Sequence, residues 1–460
     1  MGHGLPYDAV EDDYILNLPK ATMEPLPGQS NQFATWLSEK FPETNSTSFP
    51  PRHYFGQYLE EMAIRTQLEA ESEGLTINYL TDNEVTDIVE EKEGVFHITA
   101  ARGNYHVNKV ILAPGHMPST AFSELIGKKG YIHNPWERGA FKHLPLDEPV
   151  TIIGSRLTAI DVALKLKHMN PNCKLTMVSR SGLLPTVLGK EMLPHTLNHL
   201  TLEAICERSD FGQQPLSLDE IGLLFWKEID AIKGRLGHLG AFPKSAKDIS
   251  AIDWITNEIN EAEQGSRAWQ EVLFALYPLT PDIWPMIRRE DQERFIKAHY
   301  SLFITYLAAF PLENAHKIKA MLASGQLKVQ GGLSDISSEA DHFIVRFENG
   351  EHFTSNTVIN ATGPGYDASK LPFLTNLFRQ GYLVKNPLGG IQVDKDTLHI
   401  INAMGNNNPH FYAIGELTKG IYFLTTDFGR VTVQAEKIVK TLIQQTVNSS
   451  VIKNASVDES

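Results

Sequence analysis

The sequence predicts an α/β protein with two parallel-sheet domains and a large helical insertion. Three observations lead to this fold class: a strand–helix–strand unit that begins near residue 150, a strand pattern that occurs twice in distant parts of the chain, and a long helical stretch between the two copies. Consecutive parallel strands need a crossover connection, and a helix is the usual one. The 460 residues suffice for two large units or about three ordinary domains.

The first part of the chain mixes loops, helices and short strands. Apolar residues recur at helical spacing from Phe33 to Lys40 and from Tyr54 to about Leu68. Between Thr76 and Gly115 the period falls to two, which predicts strands separated by turns.

The strand–helix–strand unit follows. Residues 150–153 form a buried apolar run, a helix ends near Pro171, and residues 174–178 form the second strand. Nearly everything from Thr186 to Leu322 then has helical spacing, and we expect three loops within it, at 211–215, 234–243 and 277–285.

Strands return after the helical stretch. We expect them at residues 327–329 and 343–347, followed near the end of the chain by a helix over residues 430–445. The tail from Val447 to Ser460 is polar, and we expect it to be mobile.

The repeated pattern is the main architectural clue. Residues 95–115 and 343–363 align without gaps, and each reads as strand, glycine turn, strand and a buried run. Both copies end in Asn-x-Val-Ile-x-Ala-x-Gly, at 108–115 and 356–363. Two copies in the same context predict duplicated nucleotide-binding folds, although Val-Ile runs are common enough for the match to arise by chance.

Composition excludes several classes of protein. The formal net charge of −14, without a basic cluster, argues against binding to nucleic acid or to an anionic membrane. Two cysteines cannot make a disulfide framework or a four-thiolate metal site. No apolar run reaches the roughly 18 residues of a membrane span, and the opening lacks the pattern of a signal peptide. We therefore expect a cytoplasmic protein.

The strand–helix–strand unit carries the strongest cofactor motif. Gly154, Ser155 and Arg156 begin the segment GSRLTA, which lies directly between the first strand and the helix, as a dinucleotide fingerprint does. Arg156 occupies the position at which the second glycine of the fingerprint lets the backbone approach a pyrophosphate. The alternative is a strand-to-helix turn that binds no ligand.

The next strand favours NADP(H) over NAD(H). No Asp or Glu stands between Asp161 and Glu191, whereas NAD-selective sites place an acidic residue at this strand end. The strand ends instead in Ser179, Arg180 and Ser181, and an arginine between two hydroxyls suits a 2′-phosphate. A solvated surface arginine is the alternative.

A second motif lies near the C-terminus. The predicted strand FYAI ends in Gly415 and Glu416, and Gly420 and the last helix follow. A carboxylate at this point can accept hydrogen bonds from ribityl hydroxyls, and the helix N-terminus can face a pyrophosphate or a flavin ring. Gly-Glu between a strand and a helix is also common as plain structure.

The motif order resembles that of flavoproteins with two dinucleotide-binding domains. More narrowly, the chain resembles the bacterial FAD/NAD(P)-binding family that includes FAD-dependent urate hydroxylases. The likeness covers nearly the whole chain, in the segments GHGLPY, YILNLPKATM, FPPRHYFGQYL, VTIIGSRLTAIDVALKL, VSRSGLLP, VINATGPGYD and FYAIGE.

The resemblance implies two Rossmann-like domains, of FAD and NADP types, and assigns the motifs to cofactors. Residues near FAD would be Asn17, Gly415, Glu416 and Gly420, and residues near NADP(H) would be Gly154, Ser155, Ser179 and Arg180. Arg156, which replaces the second glycine of the family's fingerprint, is counted with the NADP(H)-binding residues for its position in the motif. The G-x-G-x-x-G unit with which such flavoproteins normally begin is not expected here, because Met1 falls after it.

The domain boundaries follow from the same order. We expect a discontinuous FAD-binding domain over residues 1–147 and 367–460, and an NADP-binding domain over 148–366 with the helical insert at about 186–322.

The predicted function is that of an FAD-dependent, NADPH-using oxidoreductase, of monooxygenase or hydroxylase type, that acts on a small molecule. Because the cofactor supplies the chemistry, no acid–base pair needs to be visible in the sequence. A non-catalytic or truncated relative with impaired FAD binding is the alternative. We expect no metal site: His195, His199 and Glu203 could share one helix face, but Thr196 stands at the glutamate position of an HExxH motif.

Overall fold

The computed structural model describes residues 4–8, 14–232 and 249–457, with side chains as far as residue 447 in the last helix. The helices that it describes are α1 (Gln32–Lys40), α2 (Arg52–Ser72), α3 (Leu157–Met169), α4 (Leu202–Arg208), α5 (Leu218–Ala231), α6 (Ala251–Glu263), α7 (Ala268–Leu276), α8 (Thr280–Ile283), α9 (Arg289–Arg294), α10 (Tyr300–Leu307), α11 (Leu312–Ala323), α12 (Thr375–Arg379), α13 (Lys419–Tyr422) and α14 (Phe428–Val457).

The strands of the described residues form four sheets. In chain order they are β1 (Val85–Lys92), β2 (Val95–Ala100), β3 (Gly103–Val107), β4 (Val110–Leu112), β5 (Tyr131–Ile132), β6 (Val150–Ile153), β7 (Leu175–Val178), β8 (Leu327–Gln330), β9 (Leu333–Glu339), β10 (His342–Phe347), β11 (His352–Ser355), β12 (Thr357–Asn360), β13 (His399–Ile401) and β14 (Asn407–Ala413).

The larger sheet contains the predicted strand–helix–strand unit. Its five strands run parallel in the order β5-β12-β6-β7-β8, and α3 connects β6 to β7. All four residues of β6 are buried, as the apolar sequence of a central parallel strand requires. Helices α3, α6 and α11 contribute to the same core as this sheet.

The second parallel pairing joins a strand from the first part of the chain to one from the last part. Strand β4 pairs in parallel with β14, which pairs on its other edge with β13 in the antiparallel direction. Helix α14 covers this sheet through Val431, Ile438 and Leu442. Their spacing of seven and four residues places them on one face of the helix.

The repeated pattern forms two copies of one structural unit. Strands β1–β3 make one antiparallel meander and β9–β11 make the other. Each meander is followed directly by a short strand of a parallel sheet, β4 after the first and β12 after the second. The gap-free alignment of the two segments therefore corresponds to equivalent strands.

The two copies also meet in space. The linkers that leave β4 and β12 run antiparallel where Met117 pairs with Gly365, whose N–H donates to the Met117 carbonyl at 3.0 Å. The hydroxyls of Ser119 and Thr362 are 3.1 Å apart beside this pair. A Cβ on Gly365 would lie 2.1 Å from the carbonyl oxygen of Pro118, so only glycine fits.

The stretch between β7 and β8 is largely helical, as expected, although its details differ from the prediction. Residues 277–285 form short helical turns around α8 instead of a loop, because Thr280, Ile283 and Trp284 pack into the core. The predicted loop at 234–243 lies outside the described residues. The last helix is longer than the predicted range 430–445, since α14 begins at Phe428 and continues to Val457.

Within the residues that the structure describes, no helix combines the length and the apolar character that crossing a bilayer would require.

We expect Gly365→Ala to destabilise the protein by about 1–3 kcal/mol, because the added methyl group has no space beside Pro118. Urea or thermal unfolding would measure this loss. The matched control is Gly222→Ala in α5, where nothing lies within 4 Å of the new Cβ and helix propensity favours alanine. Equal stability of the two variants would contradict the steric account of the linker crossing.

Candidate functional site

The candidate site lies where the strand ends of both parallel sheets converge. The linkers after β4 and β12 cross at Met117 and Gly365, next to the end of β14. In open α/β sheets the carboxyl ends of the strands form the usual ligand crevice. The polar side chains near this crossing include His116, Tyr366 and Glu416.

Glu416 is the central polar group of this region. Gly415 adopts a φ of +71°, so the chain turns sharply after β14 and buries Glu416 to 3% exposure. Its Oε2 accepts a hydrogen bond from the Thr425 hydroxyl at 3.1 Å. Its Oε1 accepts none from any residue that the structure describes, and His116 Nδ1 lies 3.6 Å away. A buried carboxylate oxygen without a donor is costly, which indicates a place for a ligand donor.

The glycines of the C-terminal motif are held by protein contacts. The Gly415 N–H donates to Gln434 Oε1 at 2.7 Å, and the Gly420 N–H donates to the Gly389 carbonyl at 2.8 Å. A Cβ on Gly420 would lie 2.1 Å from the side chain of Asn386. Packing against the chain itself is thus sufficient to explain why residue 420 is glycine.

Lys419 forms a buried cationic centre between three aromatic rings. It is 4% exposed, and its Nζ donates to the Tyr300 hydroxyl at 3.0 Å. The same Nζ lies 4.6 Å from the ring centre of Tyr366, 4.7 Å from that of Tyr300 and 5.5 Å from that of Phe423. Burial raises the pKa of Tyr366 well above its usual value, and the neighbouring Tyr300 and Glu416 add to the shift.

A strained turn connects this centre to the helical insert. Phe423 has φ and ψ of 64° and −59°, and the Leu424 N–H donates across it to the Tyr422 carbonyl at 2.7 Å, which defines a γ-turn of the rare type. The Phe423 ring stacks on Trp284 at 4.3 Å, and Trp284 Nε1 donates to the Gly420 carbonyl at 3.2 Å. Such strain costs on the order of 1–3 kcal/mol and is concentrated at functional sites.

The nucleotide motif after β6 is also engaged within the protein. Gly154 has a φ of +119°, and a Cβ there would lie 2.6 Å from the Ala361 carbonyl oxygen. The Ser155 hydroxyl donates to the Leu183 carbonyl at 2.7 Å and lies 2.9 Å from the Ser179 hydroxyl. These bonds bring the ends of β6, β7 and β12 together.

Arg156 and Arg180 give this edge of the larger sheet positive charge. The guanidinium of Arg156 donates to the carbonyl and the hydroxyl of Ser301 in α10. Burial is the main cause that lowers the pKa of Arg156, and the nearby charge of Arg180 adds to it. Arg180 is exposed, and no ion pair of its side chain occurs among the described residues. The pair can therefore attract an anion.

Asn17 lies on the segment that a buried ion pair fixes to α3. The segment forms a bridge between Ile15 and Pro51, and Asn17 is half-buried beside it. Arg52 donates through Nε to the Ile15 carbonyl at 2.8 Å, and its Nη1 lies 2.9 Å from Asp161 Oδ2. The first segment and the strand–helix–strand unit are joined by this pair.

The histidines considered as metal ligands do not share a helix face. Residues 192–201 are irregular, and α4 begins only at Leu202. The His195 ring Nε2 lies 3.0 Å from Glu228 Oε1, and the carboxylate of Glu228 also accepts the backbone N–H groups of residues 198–200. His195 thus helps to satisfy a buried carboxylate.

Sequence reasoning missed His116, Tyr300, Tyr366 and Lys419. Two of them had a usable signal, since both lie just after the Ala-x-Gly repeats: His116 follows Gly115 directly, and Tyr366 is the third residue after Gly363. Tyr300 has none, because only the folding of α10 against the C-terminal motif brings it to Lys419.

Comparison with known proteins supports the fold. Residues 1–117 match the model of a family described as FAD-NAD(P)-binding. Among solved structures, the chain is similar to L-lysine 6-monooxygenase from Pseudomonas syringae, with 16% identity, a TM-score of 0.56, and coverage of 94% of this chain and 87% of that one. No curated protein matches the chain.

A second solved structure is similar over nearly the whole length. It is the ornithine N-hydroxylase from Kutzneria sp. 744, solved with reduced FAD, NADP+ and L-ornithine, with 14% identity and a TM-score of 0.52. The alignment covers 97% of this chain and 90% of that one. The predicted fold class, two dinucleotide-binding domains of α/β type with a helical insertion, is confirmed.

We expect Arg52→Met to destabilise the protein by about 3–5 kcal/mol, because it leaves the carboxylate of Asp161 buried without its partner. Chemical unfolding followed by circular dichroism would measure the change. Arg65→Met in the same helix is the control, since Arg65 is exposed and its Nε lies 3.9 Å from Glu69. An equally small loss of unfolding free energy in both variants would show that the pair of Arg52 and Asp161 does not fix the segment that contains Asn17.

Proposed function

We propose that this protein is an FAD-dependent, NADPH-using oxidoreductase of monooxygenase (hydroxylase) type that acts on a small molecule. The observation that carries the proposal is the Oε1 of buried Glu416, which accepts no hydrogen bond from any described residue and lies beside the crossing of the two linkers. The FAD-NAD(P)-binding model over residues 1–117 and the two monooxygenases of similar fold support it. The resemblance to the bacterial family that includes urate hydroxylases is the narrower form of the same proposal.

The residues of the C-terminal motif fit a flavin. Glu416 Oε1 is free to accept a hydrogen bond from a ribityl hydroxyl. The N-terminus of α14 follows, with Asp427 accepting the Arg430 N–H at 2.9 Å while Thr426 and Gly429 stay exposed. A helix of this length presents partial positive charge to a phosphate or to an electron-rich ring. Gly415 and Gly420 shape the same region through a left-handed turn and through close packing, and Asn17 is assigned to the flavin from the family resemblance alone.

The end of β7 fits the second cofactor. Arg180 can pair with a 2′-phosphate through two parallel hydrogen bonds, and Arg156 adds charge to the same strand edge. Gly154, Ser155 and Ser179 act by fixing the turns, since their backbone and hydroxyl contacts lie within the protein. NADPH would supply the electrons and the flavin, when bound, the oxygen-activating chemistry.

The remaining residues of the site position charged groups and exclude water. Trp284 and Phe423 seal the helical insert against the C-terminal motif, and Tyr300 holds the ammonium of Lys419 in place. Removing water from the site strengthens the electrostatic interactions inside it. Lys419 thus supplies a fixed positive charge near the strand ends, where an anionic form of a reactant is stabilised.

The domain division proposed from the sequence is compatible with this assignment. The FAD-binding part comprises residues 1–147 and 367–460, and the NADP-binding part comprises 148–366. One strand departs from this scheme, because β5 lies before residue 147 yet pairs with β12 of the larger sheet. We also place the protein in the cytoplasm, on the grounds of its two free cysteines and its composition.

The purified protein is expected to bind FAD and to oxidise NADPH. Flavin absorbance after gel filtration would measure the first property, and loss of NADPH absorbance the second. Glu416→Gln should lower the affinity for FAD by about tenfold or more, because it replaces the carboxylate by a weaker acceptor. The control is Glu351→Gln, at an exposed turn of the second meander.

A colourless protein that takes up no added FAD and consumes no NADPH would overturn the enzyme assignment. That result would favour the alternative, a non-catalytic protein of this fold with impaired FAD binding. Arg156, at the position of the second glycine of the fingerprint, is the sequence feature that supports this alternative.

Arg180→Ala is expected to raise the KM for NADPH about tenfold while leaving the KM for NADH nearly unchanged, because only NADPH carries the 2′-phosphate. Initial rates with each nucleotide would give the ratio. Arg346→Ala serves as the charge-matched control, because this side chain is 39% exposed on the central strand β10 of the second meander. An unchanged NADPH-to-NADH ratio would contradict the assignment of Arg180.

A further inference from the structure

We propose that the first antiparallel meander carries a binding site for a zinc-class divalent metal ion, formed by Glu91, His97 and His106. One ligand atom from each of the three side chains lies within 4.8 Å of the other two. The site is remote in sequence from the motifs of the proposed cofactor sites. It therefore stands independently of the proposed function.

The distances fit a tetrahedral ion. Glu91 Oε1 lies 3.3 Å from His97 Nδ1, and Glu91 Oε2 lies 3.6 Å from His106 Nε2. Two ligands with bonds of about 2.1 Å at a tetrahedral zinc ion are separated by about 3.4 Å. The carboxylate therefore faces both imidazoles at nearly the separation that a shared ion requires. The two imidazole nitrogens lie within 4.8 Å of each other, so binding would bring them closer by at most about 1.4 Å.

The strands explain why the three side chains converge. His97 on β2 is directly opposite His106 on β3, so both rings lie on one face of the meander, with their centres 4.8 Å apart. Strand β1 has a register irregularity between Glu90 and Lys92, which leaves Glu91 as the extra residue of a bulge. A bulge redirects its side chain, and here it directs the carboxylate over the histidine pair.

The opposite face of the same strands provides rigidity. Ile88 and Phe96 are buried in the core of the smaller parallel sheet, with 3% and 0% exposure. Ligands on strands that are fixed in this way are held with more precision than ligands on loops. The metal face remains accessible, since the side chains of His106 and Glu91 are 60% and 47% exposed.

The second meander shows that the histidines are not needed for the fold. Val345 and Thr354 stand at the positions that align with His97 and His106, and the second meander still forms its three strands. The two imidazoles are thus a local addition to the first copy. Two imidazoles and a carboxylate favour zinc, nickel or copper over magnesium or calcium, which prefer oxygen ligands alone.

The experiment measures zinc binding to the full-length protein by isothermal titration in a chelator-treated, metal-free buffer. We expect one equivalent of Zn2+ to bind, and we expect thermal unfolding to shift upwards when zinc is added. The variant His97→Gln/His106→Gln should lose at least about tenfold in affinity, and also lose the thermal shift, because its amide side chains replace two nitrogen ligands. Glu91→Gln should show a smaller loss.

The matched control is His342→Gln/His352→Gln, which removes two strand histidines from the second meander. It should bind zinc as the wild type does. Absence of zinc binding at about 100 μM to the wild type would overturn the proposal, and so would an unchanged affinity in His97→Gln/His106→Gln. In either case the three side chains would form only a surface ion pair.

Discussion

The antiparallel contact between the linkers after β4 and β12 is the constraint on which the rest of the site depends. Gly365 lies against the carbonyl of Pro118 with no space for a side chain, and its N–H bonds to Met117. Because each linker leaves a different parallel sheet, the contact fixes the two sheets at their carboxyl ends. His116 and Tyr366 flank the crossing, and Glu416 reaches it from β14.

Much of the fold could be predicted because its signals are local. The buried run of β6, the strand ends of β7 and the repeated segments depend on residues that are close in sequence, and the structure has them nearly where the pattern places them. The region 277–285 was predicted wrongly for the same reason. Its three prolines suggest a loop, but burial of Trp284 and Ile283 in the insert stabilises short helical turns.

The candidate site was predictable only in part, because a glycine does not reveal what approaches it. Gly154 is required by the backbone of Ala361 and Gly420 by the side chain of Asn386, whereas the sequence suggests a ligand in both places. Glu416 was identified correctly as a strand-end carboxylate, and its unpaired oxygen becomes apparent only in three dimensions. Lys419 and Tyr300 are separated by more than a hundred residues and meet through tertiary packing alone.

The contacts of the helical insert have a mechanical consequence. Ser301 in α10 is bonded to Arg156 of the larger sheet, while Trp284 is bonded to Gly420 and stacked on Phe423 beside the smaller one. The insert is therefore attached both to the part of the molecule that contains the larger sheet and to the part that contains the smaller one. A rotation of one half against the other would have to break one of these attachments. The strained γ-turn at Phe423 lies in the second of these attachments, so such a rotation would act on a backbone that already carries strain.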